Sequence, residues 1–136
     1  MEKYHGKQHV AIVEPCAMAE VGLRHLLTAT TRSPYVFHFF HSTDELKAAM
    51  LNTDYFAVIC CLSGMRELRL ESLLIQDEIA NSRPATIRII LGGDREEVEL
   101  IKQLSPTLLN GVVSKAESLP KLKSAILELL RKGGTA

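Results

Sequence analysis

"YFAVICCLSG" (residues 55–64) is an apolar, largely β-branched run that stops at Ser63-Gly64 and is preceded by the turn residues Asn52-Thr53-Asp54. A short continuous apolar run bounded by turn signals predicts a strand buried on both faces, as in the middle of a parallel sheet. Ligands and chemistry in such sheets collect outside the carboxyl ends of the strands. Cys60 and Cys61 therefore stand where a site would be expected. Successive strand residues face opposite sides, so the two thiols should point apart and not pair. Their simplest role is as small apolar side chains. A thiolate role would need a depressed pKa, which a nearby lysine could encourage.

The rest of the chain repeats the same alternation of apolar run and helical period. His9–Val13 predicts a first strand. Met18, Val21, Gly22, Leu26 and Leu27 then predict one face of a helix ending near Thr30. Tyr35–Phe40 is a second strand, and Ser42 with Glu45 has capping-box spacing ahead of Leu46, Ala49 and Met50. After the strand at 55–61, Leu70, Leu73, Leu74 and Ile79 mark a third helix closed by Arg83-Pro84. Thr86–Leu91 is a fourth strand broken by Gly92-Gly93. Asp94 and Glu97 can cap a fourth helix with Val98, Ile101 and Leu104 on one face and Ser105-Pro106 at its end. Gly111–Ser114 is a short fifth strand. Ser118 caps a last helix that tolerates Pro120 in its first turn and carries Leu119, Leu122, Ile126, Leu129 and Leu130.

Strands alternating with helices require right-handed crossovers, hence a parallel sheet covered on both faces. The expected class is α/β, flavodoxin-like, with five strands in the order 2-1-3-4-5. The domain is expected to span 1–132, with 133–136 a tail or the start of a linker.

Composition restricts the function. The chain has 136 residues, 46% apolar and 24% charged, with 16 basic and 16 acidic side chains. A zero net charge leaves no electrostatic footprint for DNA or an anionic membrane on this domain. Lys121, Lys123, Arg131 and Lys132 look like the solvated face of an amphipathic helix. No apolar stretch approaches the ~20 residues of a membrane helix. Residues 1–9 lack the apolar core of a secretory signal. Three cysteines are an odd number without paired spacing, which argues for a reducing, cytoplasmic setting. The five histidines (5, 9, 25, 38 and 41) show no metal-binding spacing. Gly92-Gly93 before a helix could cradle a phosphate, but a lone glycine pair is weak evidence and a turn after the fourth strand explains it better.

Three segments together resemble the receiver domains of NarL/LuxR-type response regulators. They are "VAIVEPCAMAEVGLRHLL", "FAVICCLSG" and "LNGVVSKAESLPKLKSAI". The resemblance is greatest to auxiliary activators of the BglJ type, which are similar to a phosphorylatable partner, RcsB, but lack its active site. It implies a CheY-like fold, no enzymatic activity and no bound cofactor. A working receiver needs an acceptor aspartate, Mg²⁺ held by further carboxylates, and a lysine on the transferred phosphoryl group.

Carried over by position, the first acidic pair becomes Glu14-Pro15, the acceptor becomes Cys61, the phosphoryl-sensing hydroxyl residue becomes Gly92 and the aromatic switch becomes Val112. Lys115 keeps its type. Too few carboxylates remain for Mg²⁺, so Glu14 and Lys115 are expected to approach each other as an ion pair. The expectation is a vestigial phosphoacceptor pocket in a domain that works by association. Partners would be a phosphorylatable RcsB-like regulator of the same family or a second copy. Lys102, Lys121, Lys123 and Leu129 are candidates for the dimer surface. DNA contact would belong to a C-terminal helix-turn-helix outside this chain. An alternative is a small-molecule or thiol-redox sensor using the same crevice.

Overall fold

The computed structural model describes residues 6–28, 33–62, 66–105 and 107–134. The expected ends at Thr30 and Pro106, and the turn Ser63-Gly64, lie outside them. In chain order the elements are β1 (Gln8–Val13), α1 (Ala17–Thr28), β2 (Tyr35–Phe40), α2 (Thr43–Met50), β3 (Ala57–Cys61), α3 (Arg66–Ser82), β4 (Ile87–Gly92), α4 (Arg95–Leu104), β5 (Gly111–Ser114) and α5 (Leu119–Gly134). The strands pair in parallel in the order β2-β1-β3-β4-β5, as the alternation predicts.

β3 lies at the centre and all five of its residues are buried. Its alternation splits the core. Val10, Ile12, Ile59, Cys61, Ile89 and Leu91 pack beneath Leu23 and Leu27 of α1 and Leu122, Ile126 and Leu130 of α5. Ala11, Val13, Val58, Cys60 and Ile90 pack beneath Leu46 and Met50 of α2, Leu73, Ile75 and Ile79 of α3, and Ile101 of α4. Each fully buried aliphatic side chain contributes roughly 1.5–3 kcal/mol, so both layers are needed to hold the sheet. Both expected N-caps form, and each glutamate side chain accepts the N–H of the residue before its cap, His41 for Glu45 and Gly93 for Glu97. Ser42 Oγ accepts the Glu45 N–H (3.1 Å) and Asp94 Oδ1 accepts the Glu97 N–H (2.8 Å).

Helix faces depart from the sequence expectation. Met18 and Val21 are 85% and 68% exposed, whereas Leu27 is buried as expected together with Leu23, which the expected face omitted. Leu70, Leu74, Leu104 and Leu119 are also exposed. In α3 the buried stripe is Ser72, Ile75, Gln76 and Ile79, at i, i+3, i+4, i+7. Gln76 can be inside because its amide donates to the carbonyls of Val58 (3.3 Å) and Ile89 (3.0 Å). α5 continues through Gly133 and Gly134, two residues past the expected boundary at 132. Gly133 lies so close to Ile87 that a side chain there would overlap it.

On the α2 side of the sheet, His9 of β1 and His38 of β2 stack, with Nδ1 and Nε2 2.8 Å apart, and the Tyr55 ring meets His38 edge-on. A single N–H between the facing nitrogens satisfies both rings, and a proton on each of those nitrogens would set donor against donor. Burial, and then His9, hold His38 below its ordinary value of 6.5. Below pH 6.5 the unfolded chain takes up a proton that the folded chain resists, so acid destabilises the fold and the effect vanishes above that pH. The urea midpoint is expected to fall between pH 7 and pH 5, and to fall less in His38→Phe. Equal falls in the two proteins would remove the pair as the cause.

Candidate functional site

The carboxyl ends of β1, β3 and β5 bring three side chains together. β1 ends at Val13, and the Glu14 N–H donates to the Phe40 carbonyl (2.8 Å), which carries the chain across the sheet end with Glu14 completely buried. Its carboxylate is enclosed by donors. Lys115 Nζ lies 3.1 Å from Oε1, the Cys16 N–H donates to Oε2 at 3.1 Å, and the buried Cys61 thiol lies close enough to feel its charge. The ion pair expected between Glu14 and Lys115 is therefore present, and it joins residues 101 positions apart in sequence.

Lys115 is set by the backbone as well, since its N–H donates to the Gly92 carbonyl at 2.7 Å. Its side chain is 21% exposed, so the cation reaches solvent while the carboxylate does not. Removing water from a charged carboxylate costs several kcal/mol, and a close lysine with a backbone amide offsets that cost.

The other expected pocket residues are placed differently. Pro15 is half-buried and contributes no acceptor. A side chain at Gly92 would point toward α4, with its Cβ 3.0 Å from Val98 Cγ2 and 3.2 Å from the Val98 nitrogen, so α4 would have to give by a few tenths of an ångström to accept one. Val112 packs with the α2–α3–α4 layer, on the opposite side of the sheet from Cys61. Glu14, Cys61 and Lys115 thus form one cluster, to which Gly92 contributes only its carbonyl.

Cys60 and Cys61 fall in different core layers, as strand alternation requires. Burial pushes the Cys60 thiol up to about 12. Cys61 is raised well above the ordinary thiol value by burial first and by the Glu14 charge second. Both environments oppose a thiolate. Mg²⁺ does not fit this cluster either. A hard divalent ion asks for several oxygen ligands, and the single carboxylate is already engaged by an ammonium and a backbone amide. Among the described residues no group of three or more His, Cys, Asp or Glu side chains could hold a metal. No helix among them is long and apolar enough to cross a membrane.

The candidate dimer residues do not form one patch. Lys102 and Lys121 line an open groove of about 450 Å³ over β5, with Arg95, Glu99, Val112 and Glu117. Lys123 borders a separate recess with Leu27, Tyr35 and Leu127. Leu129 closes over Gly111 and is half-buried there.

The sequence did not disclose two polar arrangements around α4. Glu97 Oε2 lies 3.2 Å from Arg69 Nε of α3. Arg88 of β4, 9% exposed, donates to Thr107 Oγ1 (2.9 Å) and to the Leu108 carbonyl. Capping-box spacing located Glu97, but no periodicity signals its partner on another helix.

Five parallel strands in this order, with Glu14, Cys61 and Lys115 at their carboxyl edge, form the CheY-like fold of response-regulator receiver domains. The chain is 37% identical over 113 residues to the "Transcriptional activator protein BglJ" of Escherichia coli (strain K12), which covers 83% of this chain. The chain spans about half the length (50%) of that curated relative. No family model matches.

Similar solved structures include the signal receiver domain of an HD domain-containing protein from Pseudomonas fluorescens Pf-5, with a TM-score of 0.76, 18% identity and coverage of 96% of this chain and 99% of that one. RcsB from Salmonella enterica serovar Typhimurium, bound to promoter rprA in the presence of phosphomimetic BeF3-, has a TM-score of 0.69, 20% identity and coverage of 93% and 63%. A CheY-like receiver domain from Methanospirillum hungatei JF-1 has 0.71, 15%, 95% and 98%.

Two outcomes are expected from the cluster. Lys115→Met leaves a buried carboxylate without its cation and should cost about 3 kcal/mol in urea denaturation, most of it recovered by adding Glu14→Gln. Thiol labelling of the folded protein should modify exposed Cys16 quickly, and Cys60 and Cys61 only on denaturation. A second fast thiol would mean that the cluster opens to solvent.

Proposed function

We propose that the chain is a degenerate receiver domain that does not accept a phosphoryl group. It acts in transcription regulation by protein–protein association. Its partner is a phosphorylatable RcsB-like regulator of the same family, with self-association as the other mode. DNA is contacted by a separate C-terminal helix-turn-helix module. The observation that carries the proposal is the enclosed Glu14–Lys115 pair beside Cys61. The position that would bear the acceptor carboxylate holds a buried thiol, and the remaining carboxylate is neutralised from within.

The relative described as a transcriptional activator and the RcsB structures on promoter DNA support placing this activity in gene regulation. A domain with this chemistry removed has no phosphoryl-driven shift between conformations, so its association is constitutive. The thiol-redox alternative lacks support, because both strand-end thiols are buried and raised.

Incubation with acetyl phosphate and Mg²⁺ is expected to leave the intact mass unchanged. Co-expression with a tagged RcsB-like regulator is expected to give co-purification whether or not that partner is phosphorylated. A stable phosphoprotein, or association only with copies of unrelated receivers, would overturn the proposal.

A further inference from the structure

We infer that α4 is clamped at both ends by internal side chains, so that its position is preset without any phosphoryl group. This rests on the proposed association function, because it concerns the regulation of the same domain.

At the amino-terminal end, Asp94 caps the helix and the Glu97 carboxylate turns back to accept the Gly93 N–H at 2.7 Å. The second Glu97 oxygen faces Arg69 of α3 at 3.2 Å, and the carboxylate is 8% exposed. A fixed anion therefore occupies the β4–α4 junction and ties it to the neighbouring helix. The approach is close. A Cβ at Gly93 would stand 3.3 Å from Glu97 Oε1, and one at Gly92 would press on Val98. The Gly92 carbonyl, in turn, holds the Lys115 N–H, which links this end of α4 to the Glu14–Lys115 pair.

At the other end Arg88 performs the tying. Its guanidinium reaches Thr107, Leu108 and the Gln76 carbonyl (3.4 Å), and its backbone N–H donates to Asn110 Oδ1 (2.7 Å). These acceptors are neutral. A largely buried cation held by carbonyls and a hydroxyl is costly to keep unless the fold uses its reach. Here it pins the connection between α4 and β5 onto β4. Both junctions of α4 are thus fixed by charged side chains from other elements, whereas the helix itself buries only Glu97, Val98 and Ile101. With so little apolar burial, the clamps decide whether the helix shifts.

Hydrogen exchange of the whole chain tests this. Glu97→Gln keeps the acceptor for Gly93 but loses the charge opposite Arg69. Exchange of residues 93–101 should accelerate about ten- to a hundredfold, while β3 and α5 keep their protection. Arg88→Met should do the same for residues 104–111, and Arg69→Lys should restore part of what Arg69→Met loses. If Glu97→Gln folds poorly, Arg69→Met tests the same clamp from its more exposed partner.

Unchanged exchange at residues 93–101 in Glu97→Gln, or at residues 104–111 in Arg88→Met, overturns the inference and leaves the association function standing. Failure of the wild-type chain to bind its partner overturns the function and leaves the clamp standing. With both intact, partner binding should weaken in the variants whose α4 exchanges faster. Undiminished binding would show that the clamp does not govern association.

Discussion

A carboxylate with no solvent exposure at the end of β1 has to be neutralised, and the arrangement of the sheet's carboxyl edge follows from that requirement. Lys115 can meet Glu14 only if β5 lies two strands from β3 in the right register and the turn after Ser114 folds back. The Lys115 N–H on the Gly92 carbonyl extends the β4–β5 pairing to that residue and fixes its backbone there. Cys61 completes the enclosure as a neutral thiol. A second carboxylate at this position would add like charge beside Glu14 without another cation to balance it. The pocket is stable because it has become self-sufficient.

Self-sufficiency extends from the pocket to the helix beside it. The same Gly92 that fixes Lys115 through its carbonyl allows Val98 to approach, and the next residue gives its N–H to Glu97. The strand-end cluster and the α4 junction are therefore mechanically continuous. Charged side chains here act as positional ties, and each ion is close to a complementary group or to several carbonyls. Such ties make a surface whose geometry is set by folding alone.

Much of this was legible from local pattern. The strands declared themselves by apolar runs, since a doubly covered parallel strand has no polar face. The caps at Ser42 and Asp94 were visible because capping chemistry is confined to a few neighbouring residues. The opposed directions of Cys60 and Cys61 followed from strand alternation. Helix faces were less legible. In α1 the expected face joined Leu27, which is buried, to Met18 and Val21, which are exposed, and only the sheet's position adds Leu23 and leaves those two out. In α3 the buried stripe contains Ser72 and Gln76, which no hydrophobic pattern would select. They are tolerated because Gln76 finds carbonyl acceptors on two strands.

The amino-acid sequence by itself determined the α/β alternation, the strand order, the helix caps and the mismatch between Cys61 and any carboxylate chemistry, because these depend on residue type and near-neighbour spacing. Only the tertiary structure decided which helix faces are buried, that Gly133 remains helical against Ile87, and that Arg69, Glu97 and Arg88 hold α4. Those outcomes depend on contacts between residues distant in sequence. There, a polar side chain's energy is set by partners that the fold supplies and no local pattern encodes.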